Sequence, residues 1–268
     1  PMTITSSLLK TTSRAMMLTF VACAALGFGC DKPSTSPTDP GKTQQQAQEP
    51  EFVAGTKTEG VFTLVLAADP ETLDPATMSG APEGRIAFEI FEGLLMPAAS
   101  TEDASKLVVP GVAKDYPTVS EDGKTYTFAL REDAKWSDGT PLTAHDFVES
   151  WKRILTPDFP ADYAQMLWVI EGAEDYNTKK EEDWGKVGIK ATDDHTLVVT
   201  LKQPTPYFQE LVAFYTFFPT PTKLIEQKGK DWTKPENIIS NGAYKLVEYK
   251  PQQEIILEKS PHYWDKAN

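Results

Sequence analysis

Residues 135–151, KWSDGTPLTAHDFVESW, constrain the fold more tightly than any other stretch of the chain. Asp138-Gly139 is a tight-turn pair, and Pro141 cannot donate to a strand ladder. Thr143 followed three residues later by Asp146 is an Asp version of the capping box, and the Asp146 carboxylate also sits favourably at the positive end of a helix. Phe147, Trp151 and Ile154 then recur at i, i+4 and i+7, which makes one apolar stripe. The stretch therefore predicts a turn, a sharply started helix, and a single helix face that must be buried against something else. It names no chemistry.

The first thirty residues read as an address. Lys10 and Arg14 give a basic start, Ala15 to Gly29 is an apolar run interrupted only by Thr19, and Cys30 closes it. The run is short for a membrane-spanning helix, which needs about 20 residues, so residues 1–30 are expected to be a cleaved secretory signal. Leu26-Gly27-Phe28-Gly29-Cys30 resembles a bacterial lipobox, in which the Cys carries lipid. Phe28 is bulkier, and Leu26 one residue farther from the Cys, than that pattern prefers. The two cysteines, Cys23 and Cys30, both lie in the leader, so the rest of the chain can form no internal disulfide and has no thiol nucleophile. Residues 31–59 are rich in Pro, Thr, Ser, Gln and Lys, too polar to offset ordering entropy, and are expected to be a disordered tether. The balance of 26 basic against 39 acidic residues opposes contact with nucleic acid or anionic headgroups.

Beyond the tether, strand and helix signals are intermixed, which indicates a mixed α/β fold. Val61 to Ala68 reads as a strand, and Ile86, Ile90 and Leu94 mark a helix. SEDGKTYTFALR (120–131) and TDDHTLVVTLK (192–202) share an acidic turn followed by alternating residues, and are expected to be half-buried neighbours in one sheet. Pro206 to Phe214 and Thr222 to Lys228 read as short helices, the second capped by Gly229. Asn241-Gly242 reads as a turn into a strand over Ala243 to Glu248, and Glu254 to Glu258 supplies another.

Catalytic and metal-site patterns are weak. The sequence has no GxGxxG or GxxxxGK[ST] phosphate loop, no GxSxG elbow and no HExxH pair. His145, His195 and His262 are widely separated, with His145 expected on an exposed first helical turn. Asp69, Glu71, Asp74 and Glu83 cluster around one loop, but Asp-Pro pairs are ordinary turn formers, and two carboxylates suit a glycoside hydrolase only at a defined separation. No metal and no cofactor is expected. A sharper candidate is Ser79-Gly80-Ala81: Gly80 permits close backbone approach, Ala81 adds little bulk, and Pro82 cannot continue a ladder. Such a segment can leave main-chain groups free to pair with an extended ligand; the residues alone read equally as a plain loop entering a helix at Glu83.

Several long blocks in order carry a resemblance: ETLDPATMSGAPEGRIAFEIFEGLL (71–95), PGVAKDYPTVSEDGKTYTFALREDAKWSDG (110–139), ATDDHTLVVTLKQPTPYF (191–208), ENIISNGAYKLVEY (236–249) and ILEKSPHYWDKA (256–267). Together with 135–151 they resemble the family-5 extracellular solute-binding proteins of ABC importers, of the oligopeptide-binding type. The resemblance implies a type II periplasmic-binding-protein lobe with an additional packed domain. Residues 60–91 plus 221–268 would form discontinuous domain I, and 92–220 domain II. Family members continue past Tyr263-Trp264-Asp265 into a second lobe, so an N-terminal fragment is expected. By the same resemblance Ser79, Gly80 and Ala81 would hold peptide main chain as an added strand, Tyr163 of ADYAQML would lie beside it, and the ligand would be an oligopeptide. The partners implied are an ABC permease and the membrane that the Cys30 lipid reaches, with an extracytoplasmic location. Dipeptides, cell-wall peptides, haem, a nickel chelate or peptide sensing are alternatives within the family; an extracytoplasmic hydrolase is the alternative outside it.

Overall fold

The computed structural model describes residues 2–7, 57–58, 61–98 and 107–266, all within one compact unit. Two short pieces of the expected leader and tether differ from that expectation: Met2–Ser7 pairs between Glu254–Lys259 and Val61–Leu66, and Lys57–Thr58 pairs on Val61–Leu66, so both are strand where a cleaved leader and a disordered tether were expected. Cys30 and the rest of both segments lie outside the described residues. In chain order the strands are β1 (Met2–Ser7), β2 (Lys57–Thr58), β3 (Val61–Leu66), β4 (Leu95–Pro97), β5 (Val108–Pro110), β6 (Thr118–Val119), β7 (Thr125–Ala129), β8 (Ile189–Asp193), β9 (Thr196–Thr200), β10 (Tyr244–Lys250) and β11 (Glu254–Lys259). The helices are α1 (Ala81–Ile90), α2 (Ala144–Leu155), α3 (Ala173–Asn177), α4 (Phe208–Val212) and α5 (Thr222–Lys228). A five-stranded sheet runs β10-β11-β1-β3-β2, a four-stranded sheet β6-β7-β9-β8, and β4 pairs with β5. The architecture is mixed α/β.

The two alternating segments do become neighbours. β7 and β9 pair antiparallel with Tyr126 opposite Val199 and Phe128 opposite Leu197. All four side chains are buried, so the period-2 pattern of each strand places its apolar residues on one face and the register matches them across the ladder. α2 packs on β8 and β9, supplying the partner its stripe requires. Thr143 caps it: the Thr143 N–H and hydroxyl both donate to Asp146 Oδ2, at 2.7 and 2.9 Å. Phe147, Trp151 and Ile154 are buried. Trp151 meets Phe217 edge-on at 5.4 Å and donates its indole N–H to the Phe217 carbonyl at 2.9 Å.

β10 and β11 pair antiparallel with Leu246 opposite Leu257, and a bulge between Leu246 and Glu248 leaves Val247 exposed. α5 ends at Gly229, whose positive φ of 56° with ψ of −135° is backbone that glycine adopts without strain, although it is not the αL geometry of the usual C-cap. α1 stops earlier than its apolar spacing predicts. It ends at Ile90, Phe91 is extended (φ −123°, ψ 157°), and Leu94 is buried outside the helix. The Gly242 N–H bonds the Ile90 carbonyl at 2.8 Å, and a Cβ on Gly242 would lie 2.6 Å from the Ile90 carbonyl carbon. A distant turn thus takes the place of the helix's next residue. Asn241 and Gly242, read from sequence as turn formers, act as a tertiary cap on α1.

Candidate functional site

The segment from Asp69 to Glu83 is pinned along its length. Asp69 Oδ2 accepts the Gln252 N–H at 2.8 Å, and the Pro70 carbonyl accepts Tyr249 OH at 3.3 Å. Burial, with Asp69 and Glu83 nearby, pushes the Tyr249 phenol up, so it stays a neutral donor. Asp74, read as a turn residue, does more: it is buried and takes both guanidinium nitrogens of Arg153, at 3.0 and 2.5 Å. Its Oδ1 also accepts the Ala76 N–H at 3.1 Å. A bidentate pair of this kind fixes orientation as well as position, tying the loop to α2.

The loop ends at Ser79-Gly80-Ala81, where Ser79 and Ala81 are exposed and Gly80 half-buried. Gly80 is the N-cap of α1 with extended backbone, φ −106° and ψ 164°. Its carbonyl accepts the Gly84 N–H at 3.1 Å. Among the described residues, the N–H groups of Ser79, Gly80 and Ala81 have no hydrogen-bond partner. The requirement for glycine is internal. A Cβ at Gly80 would fall inside van der Waals contact of Glu83 Oε2. Glu83 is buried, with Oε1 accepting the Glu71 N–H at 2.7 Å and Oε2 unpartnered. The φ of Gly80 would suit any residue, but a side chain there would have to displace the Glu83 carboxyl.

Tyr163 is brought to this loop from far along the chain. Its hydroxyl donates to the Ser79 carbonyl at 3.2 Å. Its ring packs edge-on against Phe214 (5.4 Å) and Tyr215 (6.3 Å), which lie 4.1 Å apart. Burial, reinforced by Tyr163 and Glu83, pushes the Tyr215 phenol up to about 12. The four residues expected from sequence, Ser79, Gly80, Ala81 and Tyr163, are therefore adjacent; Cys30 lies outside the described residues. Sequence reasoning missed Glu83 as the brace and Phe214-Tyr215 as the shelf. The run Phe214-Tyr215-Thr216-Phe217-Phe218 was the available signal, although such runs more often build core, as Tyr215, Phe217 and Phe218 do here, leaving Phe214 as its half-buried member.

Elsewhere, a groove of about 640 Å³ lies among Trp136, Asp138, His145, Asp194 and Lys223 and does not reach this loop. His145 is exposed there, 3.6 Å from Asp194. Among the described residues no cluster of three metal-ligating side chains occurs, and no helix is long and apolar enough to cross a membrane.

Residues 108–268 match the family described as bacterial extracellular solute-binding proteins, family 5. The chain belongs to that family. It is 43% identical over 199 residues to the periplasmic oligopeptide-binding protein OppA of Salmonella typhimurium, covering 74% of this chain and 35% of the relative. Two solved family 5 structures each superpose with a TM-score of 0.69 over 75% of this chain and 38% of theirs. One is the substrate-binding domain of an oligopeptide ABC transporter from Bacillus anthracis, at 37% identity. The other is Haemophilus influenzae OppA in complex with the peptide RPPGFSPFR, at 38% identity. The chain spans little more than a third of the length of these family 5 proteins.

Proposed function

We propose that this chain is the peptide-receiving lobe of a lipid-anchored substrate-binding protein that captures oligopeptides outside the cytoplasmic membrane and passes them to an ABC permease. The observation that carries the reading is the extended Ser79–Ala81 segment: adjacent main-chain N–H groups without partners, two exposed residues, and a rigid mounting through Tyr163, Glu83 and the Asp74–Arg153 pair. Such a segment donates to carbonyl groups, which every peptide repeats, and so holds main chain regardless of sequence. Tyr163 and the Phe214-Tyr215 shelf provide an amphipathic wall for a side chain. The names of the similar proteins point to the same ligand class.

In this reading residues 60–91 plus 221–268 and residues 92–220 are the two domains of the lobe, and Cys30 carries the lipid. Hydrogen bonds in competition with water contribute only about 0.5–1.5 kcal/mol each, too little to repay association entropy from one open face. Calorimetry is therefore expected to find weak or no peptide binding by residues 31–268, and binding of many sequences once the chain is extended through a second lobe. Tight saturable binding by residues 31–268 would place the site elsewhere. For the anchor, membrane association that survives high salt and disappears in Cys30→Ser is expected; retention of that variant would remove the lipid from the reading.

A further inference from the structure

A groove of about 640 Å³ opens beside the start of α2 and shares no residue with the peptide loop. Its volume lies within the roughly 300–1,000 Å³ of small-molecule sites. Several separate segments meet there, and main-chain bonds fix them to one another. The Ser137 N–H donates to the Ser240 carbonyl at 2.7 Å and the Ser240 N–H to Ser137 Oγ at 3.2 Å, so the turn at Trp136 is tied to the segment that carries Ile239. The Ala144 N–H donates to the Asp194 carbonyl at 2.8 Å, which ties the β8–β9 turn to the first turn of α2. The start of α5 adds Pro221 and Leu224.

The lining is apolar along Trp136, Pro141, Pro221, Leu224 and Ile239, and acidic at Asp138, Asp146, Glu149 and Asp194. Asp146 is spent on the cap of α2, where it answers the positive helix end. The other three carboxylates are exposed. Asp138 accepts the Thr140 N–H and hydroxyl through Oδ1, at 2.9 and 2.7 Å, and both donors are neutral. Asp194 lies 3.6 Å from His145. Glu149 has no hydrogen bond or ion pair among the described residues. Against these charges, Lys223 is the one Lys or Arg of the lining, and it acts on Asp146.

We propose that this groove is a second ligand site, for an aliphatic polyamine whose alkyl chain lies along the apolar floor and whose ammonium groups reach Asp138, Glu149 and Asp194. A neutral apolar ligand would leave the acidic rim unanswered, and an anion would be repelled by it. A single ammonium would answer one carboxylate of three, and the three come from separate segments, so the complementary ligand carries several positive charges. Alkyl stems rest on apolar surface while their cationic ends stay at the wet rim. Exposed ion pairs are individually weak and screened by salt, so the site depends on several of them at once. None of this rests on the peptide reading, whose loop lies elsewhere.

The chain as it stands, titrated with spermidine at low ionic strength and followed by amide NMR, is expected to show saturable shifts at Trp136, Glu149 and Ile239. Asp138→Asn, Glu149→Gln and Asp194→Asn together should weaken binding by about tenfold or more, since each exposed ion pair contributes about two- to fivefold. Glu121→Gln, Asp133→Asn and Glu182→Gln together remove the same charge from other exposed positions and should leave the affinity within about twofold. Equal losses in the two triple variants would mean an adventitious counter-ion only and overturn the proposal. So would saturable binding of octanediol, which has the alkyl chain without the charge, or of N-acetyl-lysine amide as tightly as spermidine. Should the groove triple variant not fold, Glu149→Gln alone decides, because that carboxylate holds nothing in place: weakening of about two- to fivefold supports the site, and unchanged affinity removes it.

Discussion

The space beside Gly80 allows a sharp test, because the cost of one substitution should depend on a second residue. In Gly80→Ala the new methyl meets Glu83 Oε2. Glu83 is buried and anchored by the Glu71 N–H, so relieving the clash means breaking that bond and moving a carboxyl group within a packed site. Loss of a hydrogen bond with a potentially charged acceptor costs about 1–3 kcal/mol. Two smaller effects accompany it. Alanine is a poorer N-cap than glycine, by up to about 1 kcal/mol, and it restricts the unfolded chain, which stabilises by about 0.4–1 kcal/mol where the native φ is accessible. These nearly cancel. Gly80→Ala should therefore destabilise the wild type by about 1–3 kcal/mol and be within about 0.5 kcal/mol of neutral when made in Glu83→Ala. Urea unfolding of the two single variants, the double variant and the wild type gives the coupling energy. Additivity within about 0.5 kcal/mol would refute the argument and return the glycine to a role in ligand approach.

Asp74→Ala should cost about 3–5 kcal/mol, because it strands the mostly buried Arg153 guanidinium without its carboxylate; a loss below about 1 kcal/mol in urea unfolding would show that the loop is not held by this pair. Trp151→Phe should cost at least about 1–3 kcal/mol, the penalty for leaving the buried Phe217 carbonyl without its indole donor. An unchanged unfolding midpoint would mean that the carbonyl finds another donor.

Local chemistry was legible where neighbours in sequence are neighbours in space. The capping box at Thr143, the glycine stop after α5 and the matched alternation of β7 and β9 all follow from short-range pattern and periodicity. The candidate loop was found through its small residues and through resemblance, and Tyr163 through resemblance alone. What stayed hidden depends on partners far along the chain. Asn241 looks like any turn asparagine until Glu92 stands opposite it. Asp74 looks like any residue before proline until α2 presents Arg153. Gly80 was noticed for its missing side chain, which sequence linked to ligand approach; what sequence did not show is that the same space also accommodates the Glu83 carboxyl, because a helix brings its third residue back beside its cap.

The pairing of β7 with β9 also bears on how the molecule comes into being. Thr125 must find Thr200, and α2 together with a long excursion emerges between them. During synthesis the apolar faces of Tyr126 and Phe128, and the stripe on α2, leave the ribosome before the strand that covers them exists. Non-local closure of this kind slows folding, and unpaired strand edges invite association with other chains in the interval. In the exported protein proposed above that delay is useful, since a chain that has not yet closed its second sheet is still threadable, and the helpers that keep it so would be expected to grip the stretch between Thr125 and Leu155.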